Sequence, residues 1–166
     1  MYRVTSKEGK EFLMSPGAFA QSAVLSMAVG QLYGESLHDQ TVPAQHVPTR
    51  AMTTIVKWCE HHKDEERLQK HEYKTCVNWS TPEWDRKLLG ALDSDSLAEL
   101  INAASYLEIV RLLSFATKEF ADRMEQLSIR GAVSSFGPEA MEKYERDEEN
   151  RRRIFEASAN ATESSA

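Results

Sequence analysis

The sequence predicts an α/β protein of the α+β kind, with a small sheet near the N-terminus, helices covering it, and a helical C-terminal extension. Three observations carry this. Apolar residues alternate with polar ones over residues 2–14, around Glu8-Gly9. Apolar residues recur at helical spacing through most of 49–124. After Met124 they thin out, and the chain ends in charged helical sequence followed by small polar residues. The expected division is a domain over 1–124, a helical extension over 125–157, and a disordered tail over 158–166.

Each element has its own signal. Tyr2, Val4, Phe12 and Met14 share one face of a hairpin, and Pro16-Gly17 ends the second strand. Val24, Leu25, Ala28, Val29 and Leu32 then predict a helix over Ala18 to Tyr33, ended near Gly34. "TVPAQHVP" (41–48) reads as a short edge strand, because Pro43 has no N–H to donate to a ladder. Thr49 is the expected N-cap of a helix whose apolar face holds Met52, Ile55, Val56 and Cys59. Residues 63–80 are charged and aperiodic, as a surface loop is. Pro82-Glu83-Trp84 starts a short helix with Leu88 and Leu89. Asp93 to Ser96 offer caps for a helix carrying Leu97, Leu100, Ile101 and Ala104. A further helix holds Leu112, Leu113, Ala116, Phe120 and Met124. The last runs from Pro138, with an acidic start and a basic end that suit the helix dipole.

Bulk composition excludes several classes. The 166 residues are 41% hydrophobic and 28% charged, enough to bury a core without disulfides or metal. A net charge of −6 leaves no excess of Lys and Arg to displace counterions, so nucleic acid is not an expected partner. Phe12 to Gly34 is free of charge and long enough to span a bilayer, but Pro16, Gln21, Gln31 and three serines interrupt it. A buried helix after a hairpin is expected there, with no membrane role. Two cysteines, Cys59 and Cys76, do not make a secreted disulfide framework, and a cytoplasmic and nuclear location is expected.

"WCEHHK" (58–63), with His71 and Cys76 beyond it, raises the question of zinc. Cys59 lies on the apolar stripe of its helix, and Cys59-x-His61 is too tight for the usual ligand pairs, so no metal is expected. His61 and His62 read as the exposed C-terminal end of that helix, where cations meet the negative end of the dipole. No metalloprotease, nucleophile-elbow or phosphate-loop pattern is present. Runs such as Asp64-Glu65-Glu66 and Asp147-Glu148-Glu149 read as solvated faces. No catalytic residue and no cofactor are expected. The helices from Leu97 to Tyr144 carry more apolar positions than one small sheet needs, and an unpaired apolar face marks a partner site.

"VPAQHV" (42–47), "IVKWCEHHKDE" (55–65), Trp84-Asp85 and "AASYLEI" (103–109) together resemble the S-phase kinase-associated protein one family, the adaptor subunits of SCF ubiquitin ligases. The resemblance covers about residues 2–124. It implies a BTB/POZ-like small sheet covered by helices over 1–124, facing a cullin scaffold. It also implies a C-terminal extension that clasps the F-box of substrate receptors, for ubiquitin-dependent protein degradation. The alternative is a BTB-type self-associating scaffold without ligase function, and weak homodimer formation is compatible with either.

Carried onto this chain, the cullin-facing pair is Ser105 and Tyr106. Serine stands where the family usually has asparagine and loses an amide's donors and acceptor. The alternative for Tyr106 is a core aromatic. The F-box-facing residues are Ile129, Val133, Phe136, Pro138, Met141 and Tyr144. Here "LSIRGAVSSFGPEAMEKYERDEENRRRIF" (127–155) departs from the family. Val133 replaces an expected phenylalanine, no tryptophan follows "EEN", Gly131 inside the presumed helix costs about 1 kcal/mol relative to alanine, and Arg111 replaces a small residue between two helices. The departures imply a divergent member with altered receptor choice.

Overall fold

A computed structural model describes residues 1–28, 41–69, 72 and 80–163, without the side chains of 156–163. It has a small three-stranded sheet and is otherwise mainly helical, as the α+β reading requires. It divides into two compact units, Met1–Ala121 and Asp122–Ala166.

In the first unit, β1 (Tyr2–Thr5) and β2 (Glu11–Met14) form the hairpin, with Val4 opposite Phe12 and Tyr2 opposite Met14. Gly9 takes φ +81° in the turn, a conformation that costs glycine little. β3 (Thr41–Pro43) joins β1 in parallel, giving the order β2-β1-β3. It is an edge strand and shorter than the expected 41–48. Beyond Pro43 the chain turns, with the Val47 N–H donating to the Ala44 carbonyl at 3.0 Å.

The helix expected over Ala18 to Tyr33 is broken. α1 (Pro16–Ala20) starts at Pro16, capped by the Ser15 hydroxyl, and α2 (Ala23–Ala28) follows after Gln21-Ser22. Both linking side chains leave the helical line to bond distant carbonyls. Such competition is why Ser and its kin interrupt helices. The expected end of that helix, Val29 to Gly34, lies outside the described residues.

α3 (Thr49–His61) packs Met52, Ile55, Trp58 and Cys59 into the core. Its N-cap is Pro48 rather than Thr49. The Glu8 carboxylate, reaching over from the hairpin turn, accepts from the Thr49 N–H at 2.7 Å and its hydroxyl at 2.6 Å. These bonds hold the Glu8 carboxyl below the usual carboxylate range. α4 (Glu83–Gly90) and α5 (Ser94–Tyr106) follow, the latter capped by Asp93, which accepts from the Ser96 N–H at 2.6 Å. The core joins Val4, Met14, Phe19, Leu25 and Val42 to the buried faces of α3, α4, α5 and the first residues of α6 (Val110–Ser134).

In the second unit, α6 runs unbroken through Gly131. A turn at Ser135–Gly137, with Gly137 at φ +100°, leads into α7 (Pro138–Glu163). Arg130 donates to Glu145 across that turn at 2.8 Å. α7 continues past Ser158, where a disordered tail was expected. Ala157, Ala159 and Ala161 supply the helix propensity.

Candidate protein-interaction surface

α5 ends in a Schellman motif. The Ile109 N–H donates to the Ala104 carbonyl and the Glu108 N–H to the Ser105 carbonyl, with Glu108 in the left-handed region at φ 51°. This geometry buries Leu107 and Ile109 and leaves Ser105 and Tyr106 on the outside of the last turn. Tyr106 is 42% exposed, so it is a surface ring and not a core aromatic. The exposed His46, from the turn after β3, meets it edge-on with centroids 5.1 Å apart.

At the C-terminal end of α3 lies a buried polar network that the sequence did not disclose. Asp85 is fully buried. Its Oδ1 accepts from Trp58 Nε1 at 2.6 Å and lies 3.1 Å from His62 Nε2. His62 is 3% exposed, which corrects the expectation of a solvent-facing helix end. Its ring stacks on Trp58 at 4.2 Å, and Nδ1 lies 2.7 Å from Glu65 Oε1. Each ring nitrogen thus lies within hydrogen-bond distance of a carboxylate oxygen, and the tautomer sets which of them donates. His61 does remain on the outside, stacked on Trp84 at 3.7 Å.

The network extends outward through Glu65, which pairs with Arg111, while Arg111 Nη2 also donates to the Glu66 carbonyl at 3.2 Å. Partial burial pulls the Arg111 guanidinium below its usual range. Glu65 is therefore not simply part of a solvated charge run. Gln21 donates to the carbonyls of His62 and Glu65 at 2.8 and 2.7 Å, and Ser22 donates to the Leu107 carbonyl at 2.7 Å. The C-terminal carbonyls of α3 and α5 thereby find partners, and the α1–α2 break is tied to the turn carrying Tyr106. Cys59, on the buried side of α3, has its thiol pushed far up by burial, and it is neither exposed nor charged. Among the described residues, no three His, Cys, Asp or Glu side chains gather as a metal set, and no helix is long and apolar enough to cross a membrane. His71 and Cys76 lie outside the described residues.

The second unit has a different surface. None of its described side chains is buried. Phe136 is 81% exposed, and Ile129, Met124, Leu127 and Ile154 are also largely open. Val133, Met141 and Tyr144 are partly covered, and Pro138 is exposed at the start of α7. So much apolar side chain left open on two helices is the signature of a partner face.

No family model matches the chain. Its similarity to individual curated proteins is consistent in kind. It is 28% identical over 123 residues to the E3 ubiquitin ligase complex SCF subunit sconC of Neosartorya fischeri, covering 74% of this chain and 75% of that one. It is 26% identical over 123 residues to suppressor of kinetochore protein 1 of Schizosaccharomyces pombe, covering 72% and 74%. The chain is a distant relative of these proteins. An SCF subunit of Talaromyces stipitatus is 29% identical over 109 residues, covering 65% of this chain and 66% of its own length.

With those relatives in view, the network acquires a reason. Trp58, His62 and the Trp84-Asp85 pair belong to the motifs on which the resemblance rests. They were legible as motifs, but the joint burial of Trp58 and His62 around the Asp85 carboxylate was not. The signal was present in the residue types: an indole N–H and an imidazole can enter a core only with acceptors, and one aspartate supplies them. Arg111 stands at the outer edge of this network, paired through Glu65, which accommodates a long cation where a small residue was expected.

Proposed function

We propose that the chain is a non-catalytic adaptor subunit of an SCF-type ubiquitin ligase, bridging a cullin scaffold to F-box substrate receptors. Its similarity to named SCF subunits over about three quarters of the chain carries the reading. The first unit, with a BTB/POZ-like organisation, faces the cullin through Ser105 and Tyr106. The second unit clasps an F-box through Ile129, Val133, Phe136, Pro138, Met141 and Tyr144. Two features of the structure support these assignments: Tyr106 is held outward by the Schellman turn, and the second unit keeps its large apolar side chains open.

The mechanism requires no chemical step from this chain. An adaptor that holds receptor and scaffold together turns a bimolecular encounter between substrate and ubiquitin-loaded enzyme into an intramolecular one, with a gain set by effective concentration. Rigidity matters for such a gain. The bonds from Ser22 to Leu107 and from Gln21 to the end of α3 supply it beside Tyr106. Serine at 105 presents a shorter polar group than an amide and alters which cullin groups can be matched. Work in both cytoplasm and nucleus belongs to the same proposal.

The test is binding of a cullin N-terminal domain and of an F-box peptide, measured separately on wild type and Tyr106→Ala. The reading expects Tyr106→Ala to weaken cullin binding about tenfold or more, as an aromatic anchor does, with F-box binding unchanged. Equal loss of both would assign the ring a folding role instead.

A further inference from the structure

We infer that His46 is a positioning residue for Tyr106 and extends the cullin-facing surface across a second structural element, the turn between β3 and α3. The inference rests on the docking function above. Its basis is the edge-on contact between the two rings, with centroids 5.1 Å apart and planes 70° apart, both rings exposed.

An exposed tyrosine at a helix end ordinarily samples several rotamers, and a partner that binds one of them must first immobilise the ring. Here the two elements that bear the rings are themselves fixed. On the His46 side, the turn is closed by the Val47 N–H donating to Ala44 and by the Ala44 N–H donating to the Thr5 carbonyl at 2.8 Å. The Lys7 N–H also donates to the Val47 carbonyl at 2.9 Å, so the residue beside His46 is tied to the hairpin turn after β1. On the Tyr106 side, the Schellman turn and Ser22 hold the helix end. With both backbones anchored, the ring–ring contact selects the Tyr106 rotamer before any partner arrives. An imidazole supplies an aromatic edge with little conformational freedom of its own, and an edge-to-face arrangement is a preferred geometry for two rings.

The kind of partner follows from the residues. The patch offers two rings, the Tyr106 hydroxyl and the short Ser105 hydroxyl. It fits a helical protein surface that presents a hydrogen-bonding side chain beside a flat apolar area.

The experiment compares wild type, His46→Ala and His46→Phe, each alone and with Tyr106→Ala, for affinity to a cullin N-terminal domain. Tyr106 ring-proton NMR shifts are recorded on the free proteins. His46→Ala is expected to weaken binding roughly 2–10-fold, the range of an aromatic pair, and to move the Tyr106 resonances toward those of a free tyrosine. His46→Phe should restore both, and His46→Ala should cost nothing further once Tyr106 is alanine. Unmoved Tyr106 resonances, a full effect of His46→Ala in the Tyr106→Ala background, or no rescue by phenylalanine would each overturn the inference. A wild type whose Tyr106 resonances respond as expected but which binds no cullin domain would overturn the docking function, and with it the inferred partner.

Discussion

Replacing Asp85 with alanine probes the buried polar network at the end of α3. The carboxylate is fully buried, accepts from the buried Trp58 Nε1 at 2.6 Å and lies 3.1 Å from the buried His62 Nε2. Alanine leaves both groups in the core without that acceptor, at about 1–3 kcal/mol each. Losing a buried charge returns part of this, because the carboxylate no longer has to be desolvated. A net loss of about 3 kcal/mol results, which for a unit of this size lowers the melting midpoint by about 12 °C. The matched control is Glu83→Ala, two residues earlier on the same helix, whose carboxylate is on the surface and paired with Lys87. The assay is urea and thermal unfolding followed by tryptophan fluorescence, with the denaturant slope as a check that the cooperative unit is unchanged. An Asp85→Ala midpoint no lower than that of Glu83→Ala would refute the claim that this carboxylate organises the core.

Three further outcomes follow from particular contacts. Glu8 is held below the ordinary carboxylate range by its bonds to Thr49, so its contribution is present at neutral pH and lost as pH falls through that depressed value. Glu8→Gln should therefore be less stable than wild type near pH 7, with the gap closing on acidification, as measured by denaturation at a series of pH values. A Cβ on Gly17 would stand 2.5 Å from the Lys63 carbonyl oxygen, so Gly17→Ala should cost about 1–3 kcal/mol in a denaturation experiment, as overpacking does. Glu108 sits at φ 51°, where a side chain is strained, so Glu108→Gly should stabilise the chain by up to about 1 kcal/mol and leave the fold unchanged by circular dichroism.

The elements that sequence reading found are those whose signal is local. The hairpin, the edge strand at Pro43, the Asp93 cap and the apolar face of α3 all depend on neighbouring residues, and each stands where alternation or helical spacing put it. The misread features depend on partners far along the chain. Gln21 and Ser22 break a helix because carbonyls at 62, 65 and 107 await their donors, 41 to 85 residues away. His62 looks like a surface residue at a helix end until Asp85 is placed beside it. Glu8 looks like a turn residue, yet it holds the start of α3.

The candidate site divides in the same way. Ser105 and Tyr106 were legible through a motif, and their exposure follows from the turn that the motif encodes. His46 carried no signal, because an exposed histidine in a turn has no periodicity to mark it and its partner lies 60 positions on. The second unit was legible as surplus apolar sequence. Which of those residues meet a receptor rests on a resemblance that is weakest in that unit.

The most direct test of the account is to mix this chain with a cullin N-terminal domain and an F-box peptide and to measure the mass of the complex in solution. The account predicts one particle containing a single copy of each, formed only when this chain is present. A chain that binds neither partner, or that forms a homo-oligomer which the F-box peptide cannot dissociate, would contradict it.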